Sequence, residues 1–339
     1  MEDCEWIIQR LLYMLKACER FLRDTVRALL GPRHTWDLSA QGERLYSDLP
    51  ARLRDASTRL SSTADSSDEQ PVFLFSAGWR SGSTLLQRML MEHNQDILMW
   101  GEPFAHANLH DNLANHFRCF TPDWPPDSFF LSKKNTSNIS DTWAANLYPD
   151  VERLFDAHRS FYRHLFAEPA SQAGRRNWGF KEVALTIDHA AYFRVLFPKC
   201  KIVLLYRHPH DAYRSYRDVG LTWSLIWPRF VTTPYQFGRH WAQMTRGFLE
   251  GHERVGAFLI RYEDLDDGAT VERLQTYLGW PVPRSSEMRR IRTSGQASGV
   301  GQSTAKAERE ALPAAERMLL NLAIRKVRED SGYLEDRTR

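Results

Sequence analysis

The chain has 339 residues, of which 42% are hydrophobic, 12% aromatic and 26% charged. This composition builds a packed core and excludes collagen-like, disulfide-framework and wholly disordered chains. Its 45 Lys and Arg against 42 Asp and Glu leave a net charge of +3, so no overall field favours nucleic acid or an anionic membrane, and any anion site has to be local.

In chain order, residues 5–30 place Trp6, Ile7, Leu11, Leu12, Leu15, Cys18, Leu22, Val26 and Leu29 near helical spacing. That pattern predicts an amphipathic helix within an N-terminal helical extension, residues 1–55. Its apolar face would pack on its own domain or on a second copy of the chain, giving a homodimer, with docking on a membrane surface as the alternative. The acidic start and the interruptions at Gln9, Arg10 and Lys16 are unlike a signal peptide. No stretch approaches the about 18 apolar residues of a membrane span. A cytoplasmic location is therefore expected, and the sequons at Asn135 and Asn138 become chance matches. Cys4, Cys18, Cys119 and Cys200 lie too far apart for C-x-x-C or zinc-ligand spacing; they read as reduced thiols, and no metal is expected.

Residues 56–70 are rich in Ser and Asp and predict a linker, which leaves 71–339 as the main domain. From Pro71 short apolar runs alternate with helical stretches. Strands are expected at 72–76, 96–100, 177–181, 201–206 and 257–262. Helices are expected at 83–93, 142–167, 188–197, 210–219, 234–255, 268–278 and 307–331. The alternation predicts an α/β fold of three layers, a central and mainly parallel sheet of about five strands flanked by helices. Residues 120–141 read as a long loop of the kind that shapes substrate pockets.

The strongest local signal is VFLFSAGWRSGSTLLQRML, a strand, a glycine-containing turn and a helix. Gly78 and Gly82 permit positive φ, while backbone N–H groups from Arg80 to Thr84 and the helix's positive end can hold an anion. Ser83 and Thr84 add hydroxyl donors. A nucleoside triphosphatase would need G-x-x-x-x-G-K-S/T. Here three residues separate Gly78 from Gly82, and Ser83 stands in the lysine position. A kinase-like phosphotransferase is thereby the weaker alternative, and a non-catalytic scaffold retaining the fold is the other.

The segment G-W-R-S-G-S-T-L-L resembles the 5′-phosphosulfate loop of the sulfotransferases, whose donor is 3′-phosphoadenosine-5′-phosphosulfate (PAPS). A later segment, KIVLLYRHPHDAYRSY, resembles that family's 3′-phosphate motif, with Arg207 ending a strand and Ser215 eight residues on in the next helix. An Arg and a Ser so placed can converge on one anion. WGFK before this motif and RYED after it extend the resemblance over residues 71–280.

The resemblance implies donor binding by Gly78, Trp79, Arg80, Ser81, Gly82, Ser83 and Thr84, with Arg207 and Ser215 on the 3′-phosphate. Arg80 stands where relatives carry Lys or Arg, which implies that it stabilises the leaving group. Lys181 resembles a strand lysine of carbohydrate- and protein-type members that contacts the donor or the sulfuryl group, which implies a catalytic, electrostatic role. Arg292 lies in a Gly- and Ser-rich segment, 292–304, placed like the loop that closes over the 3′-phosphate in relatives, although their R-K-G element is missing. An acceptor hydroxyl needs a base. Glu102, in MWGEPF, resembles the Glu base of tyrosylprotein and some bacterial sugar sulfotransferases; His106, His110, His208 and His210 are the alternatives. Asp211 is expected to cap the helix carrying Ser215, and Tyr262, Glu263 and Asp264 to end the last strand. Trp124, Trp143, Trp223, Trp227, Tyr235 and Trp241 suit an acceptor site or ordinary core packing. The expected reaction is sulfuryl transfer to a hydroxyl, or an amine, of a saccharide or other small acceptor, without a nucleic acid partner or a membrane span.

Overall fold

The computed structural model describes residues 48–60, 69–102, 107–134, 137, 144–218, 231–288 and 312–333. The expected N-terminal amphipathic helix lies outside them. The first described element, helix α1 (Leu49–Ser57), starts on Asp48, whose side chain accepts the Ala51 N–H at 3.0 Å. Leu49, Leu53 and Ala56 recur on one face of α1 and are buried in the main core. Glu69 accepts the Trp178 indole N–H at 2.7 Å. The expected boundaries are therefore corrected: one compact unit runs from Asp48, so α1 and the flanks of the expected 56–70 linker belong to the main body. Serine- and aspartate-rich composition signalled a linker there, but three apolar residues at helical spacing are enough to dock a short helix.

Next come β1 (Val72–Ser76), α2 (Ser83–Glu92), β2 (Ile97–Trp100) and α3 (Leu109–Asn115). They are followed by α4 (Val151–Tyr162), a π-helical turn (Arg163–Ala167), α5 (Glu168–Gln172), β3 (Asn177–Glu182), α6 (Ile187–Leu196) and β4 (Lys201–Tyr206). The described part closes with α7 (Pro209–Asp218), α8 (Pro234–Gly251), β5 (Phe258–Arg261), α9 (Gly268–Leu278) and α10 (Ala314–Arg328). The helix expected from 142 starts only at Val151, because Pro149 disfavours helical backbone at the residue before it. Tyr148 is extended instead, and its carbonyl accepts the Leu131 N–H at 2.9 Å. Likewise α10 starts at Ala314 rather than 307, directly after Pro313.

Among the described residues the strands form one sheet of order β2-β3-β1-β4-β5, with every neighbouring pair parallel. Parallel strands are covered on both faces and so read as continuous apolar runs. Phe73, Phe75, Trp178, Phe180, Ile202 and Leu204 bury one face against α4, α6 and α8. Val72, Leu74, Met99, Val203 and Leu205 bury the other against α2 and α9. The order places β1 between two strands reached by opposite crossovers, the switch point at which open α/β sheets leave a crevice at the strands' C-terminal ends. Parallel pairing then aligns the Ser76–Gly82 turn, Trp100–Glu102, Lys181–Glu182, Tyr206–Arg207 and Arg261–Tyr262 along that same edge.

Close packing in the middle of the sheet depends on Gly179 in β3. A Cβ there would lie within 2.1 Å of the Val72 carbonyl oxygen and 2.6 Å of the Met99 sulfur. Gly179→Ala is expected to destabilise the fold by about 1–3 kcal/mol or more, as overpacking does. A urea titration checks this; an unchanged midpoint would show that the strands separate freely.

Candidate active site

The turn after β1 is left-handed at three positions, Gly78 (φ 86°), Arg80 (φ 63°) and Gly82 (φ 89°). The Ala77 N–H donates to the Leu205 carbonyl at 2.8 Å, which ties the turn to β4. The buried Ser81 hydroxyl bonds the Ala77 and Gly78 carbonyls from inside, at 3.2 and 3.0 Å. Gly82 then caps α2 against the Tyr262 ring, which would lie 2.2 Å from any Cβ at that position. The first amides of α2 open at this end, where intrahelical acceptors are missing and the helix dipole is positive.

The second motif meets this turn. Arg80 Nε donates to Ser215 Oγ on α7 at 2.9 Å, and Arg207 Nη1 donates to the Arg80 carbonyl at 3.1 Å. The Arg207 guanidinium lies 4.3 Å from the centroid of the Tyr262 ring, and its carbonyl accepts the Trp241 indole N–H at 2.9 Å. Arg207 Nε is buried and has no hydrogen-bond partner among the described residues. Trp79 packs between Tyr216 and His240. Residues 127 and 135 positions apart in sequence thus form one cationic, donor-rich corner.

A second cluster occupies the ends of β2 and β3. Lys181 Nζ forms an ion pair with Glu102 Oε1, and the Lys181 N–H donates to the Gly101 carbonyl at 3.3 Å. The ammonium end is nearly buried, whereas Glu102 is partly open. From α2, Gln87 Nε2 donates to the Met99 and Trp100 carbonyls and fixes the strand end that carries Glu102. Next to Lys181 in sequence is Glu182, a buried carboxyl group that belongs to neither motif. Its Oε2 accepts the Val183 N–H at 3.2 Å, and its Oε1 has no partner among the described residues. Burial, reinforced by the Glu102 charge, pushes its pKa up to about 8. In sequence it follows the expected strand 177–181 as one more acid, with no local mark of its burial.

The histidines divide. His106 lies outside the described residues. His110 stacks on Phe180 at 4.5 Å with Nδ1 3.1 Å from the Tyr162 hydroxyl, and burial brings its pKa down to about 3. That makes it a weak base. His208, just before α7, packs on His210 and on Tyr333 beyond α10, and His210 Nε2 meets Asn321 of α10 at 2.7 Å, joining α7 to that helix. Asp211 is corrected: α7 begins at Pro209, so Asp211 sits inside the first turn and pairs with Arg214 at 3.0 Å instead of capping the helix. Glu263 accepts the His208 N–H and the Tyr333 hydroxyl, and Asp264 binds Arg261. Trp241 is a core residue and Trp124 is exposed, while Trp143, Trp223, Trp227 and Arg292 fall outside the described residues.

Burial also brings the pKa of His158 down to about 4. Between about pH 4.5 and 6.5 the unfolded chain holds two protons that native His110 and His158 lack, whereas native Glu182 holds one that the unfolded chain lacks. These three groups together raise stability with pH by about 1.4 kcal/mol per unit. From about pH 6.5 to 8 only the Glu182 difference remains, and stability falls at a similar rate. Thermal melts across pH 5–8 are expected to show a maximum near pH 6.5; a monotonic trend would contradict it.

A family model described as the sulfotransferase family matches residues 71–284, which include both clusters. The chain belongs to the sulfotransferase family. Among solved structures it is similar to the sulfotransferase domain from the curacin biosynthetic pathway, at 19% identity, covering 64% of this chain and 76% of that one with a TM-score of 0.39. It is also similar to mouse sulfotransferase SULT7A1 complexed with PAP, at 14% identity, 72% and 66% coverage and a TM-score of 0.34. Sulfotransferase STF9 from Mycobacterium avium matches at 16% identity, 72% and 74% coverage and a TM-score of 0.34. No curated protein aligns with it significantly. Among the described residues, no helix of this sulfotransferase is long and apolar enough to cross a membrane.

Proposed function

We propose that this chain moves the sulfuryl group of PAPS to a hydroxyl of a saccharide or another small aliphatic acceptor, with Glu102 as base. The observation that carries the reading is the convergence of the two phosphate motifs, Arg80 on Ser215 and Arg207 on the Arg80 carbonyl. The residues fit the donor: amide groups of a left-handed turn and a buried guanidinium nitrogen that has no partner among the described residues are suited to two separate phosphate groups. The donor supplies the activated sulfuryl unit.

On this reading, the amides from Arg80 to Thr84 bind the phosphosulfate, and Arg207 with Ser215 binds the 3′-phosphate. Arg80 is held at Ser215 through its Nε, which places a cationic group between the two phosphate motifs. A cation at the phosphosulfate stabilises negative charge growing on the leaving oxygen. Lys181 adds a second cation and holds Glu102 at the strand edge, where the carboxylate takes the acceptor proton. A radiolabelled donor offered to separate pools of saccharides, phenols and amines tests the acceptor class. Label in the saccharide pool is the expected result; label confined to phenols or amines would overturn that part of the reading.

A further inference from the structure

One contact at the turn after β1 has no part in the chemistry above. His240, half-buried on α8, lies against that turn: a Cβ on Gly78 would stand 3.3 Å from His240 Cδ2 and 3.5 Å from Nε2. The missing side chain of Gly78 therefore admits the imidazole, whose centroid is 5.3 Å from that of Trp79 with the planes at 31°. Tyr216 of α7 also stacks on Trp79, at 5.7 Å and 21°. Tyr216 is itself fixed, since it is fully buried, packs on Phe237 of α8 and donates its hydroxyl hydrogen to the Val231 carbonyl at 3.0 Å. The adjoining residues reach the two motifs: Ser215 receives Arg80 Nε from α7, and Trp241 donates to the Arg207 carbonyl from α8. Trp79 is 6% exposed, so its ring is committed to these neighbours. After Trp79 comes Arg80, a non-glycine residue at φ 63°, and such backbone persists only where its surroundings hold it. Its carbonyl is held by Arg207; on its other side the chain is held at Trp79.

We propose that His240 is a positioning residue for donor binding: with Tyr216 it fixes Trp79, and through Trp79 it holds Arg80 in the left-handed conformation that directs the following amides at one anion. The proposal rests on the reading of this turn as the phosphosulfate loop. It gives α8, which lies in neither motif, a part in donor affinity.

The test is calorimetric titration of the full chain with 3′-phosphoadenosine-5′-phosphate and with adenosine-5′-phosphosulfate, with thermal melts confirming that each variant folds. His240→Ala is expected to raise both dissociation constants by about three- to tenfold, the range of one aromatic contact, because the turn holds the 5′ group that both nucleotides carry. His240→Phe keeps a ring against Trp79 and is expected to bind both as the parent chain does. In a Trp79→Leu background, His240→Ala is expected to weaken binding no further, because residues in contact act as a unit. Unchanged binding by His240→Ala, an equal loss in His240→Phe, a loss confined to the 3′-phosphorylated nucleotide, or full additivity with Trp79→Leu would each overturn the proposal. Should the alanine variant not fold, His240→Phe still decides: parental binding supports the proposal and weakened binding overturns it. Failure of the parent chain to bind either nucleotide is a separate outcome, which overturns the reading of the turn and the proposal with it.

Discussion

Glu102→Gln is expected to retain the fold and donor affinity while losing about 10²- to 10⁴-fold in kcat, the usual share of general-base catalysis. The amide keeps the shape of the side chain and can still accept a hydrogen bond from Lys181, so the strand end held by Gln87 should stay in place. What disappears is the acceptor for the proton. Lys181→Ala is expected to lower kcat as well, and also to loosen the donor, because it removes charge from ground state and transition state together. Single-turnover transfer at saturating donor and acceptor separates these effects. Near-normal transfer by Glu102→Gln would remove the carboxylate base and direct attention to His106, because His110, His208 and His210 are committed to packing partners.

Arg207→Ala is expected to weaken binding of 3′-phosphoadenosine-5′-phosphate by about tenfold or more, since a hydrogen bond to a charged group is worth about 1.5–3 kcal/mol. Part of that loss arises within the protein, because Arg207 also holds the Arg80 carbonyl and so supports a non-glycine residue in left-handed backbone. Arg207→Lys keeps the charge but not the fork, and should fall between the two. Ser215→Ala removes one neutral donor and the acceptor of the Arg80 Nε hydrogen bond, a smaller change. Adenosine-5′-phosphosulfate, which has no 3′-phosphate, should lose much less affinity than the 3′-phosphorylated nucleotide. Equal losses for both nucleotides in a calorimetric titration would show that Arg207 does not read that phosphate.

The strands were legible because a doubly covered parallel sheet turns burial into uninterrupted apolar runs: Val72–Ser76 and Lys201–Tyr206 match the expected bounds, and the others differ at their ends by one residue. The turn after β1 was legible because Gly78 and Gly82 serve positive φ, a local requirement visible in one short segment. Features that depend on distant contacts were not. Nothing near Tyr262 announces that its ring lies against Gly82 and under Arg207. Nothing local distinguishes Glu182 from a solvated strand-end acid, because its burial comes from the layers packed around the sheet. The domain boundary misled for a related reason: composition over 56–70 describes the segment, whereas the docking of Leu49, Leu53 and Ala56 is decided by the surface they meet. Pro149 and Pro313 shortened two helices as their chemistry requires, yet the apolar periodicity running past them concealed it.

The central claim, that the two motifs form one PAPS site, is tested most directly by the melting temperature of the chain with saturating 3′-phosphoadenosine-5′-phosphate and, separately, with ATP and magnesium. A ligand that binds the native state raises it by linkage, by an amount that follows affinity. The 3′-phosphorylated nucleotide is expected to raise it by several degrees, with Arg207→Ala abolishing most of the rise, and ATP with magnesium to have little effect. Stabilisation by ATP with magnesium and none by the 3′-phosphorylated nucleotide would contradict the account.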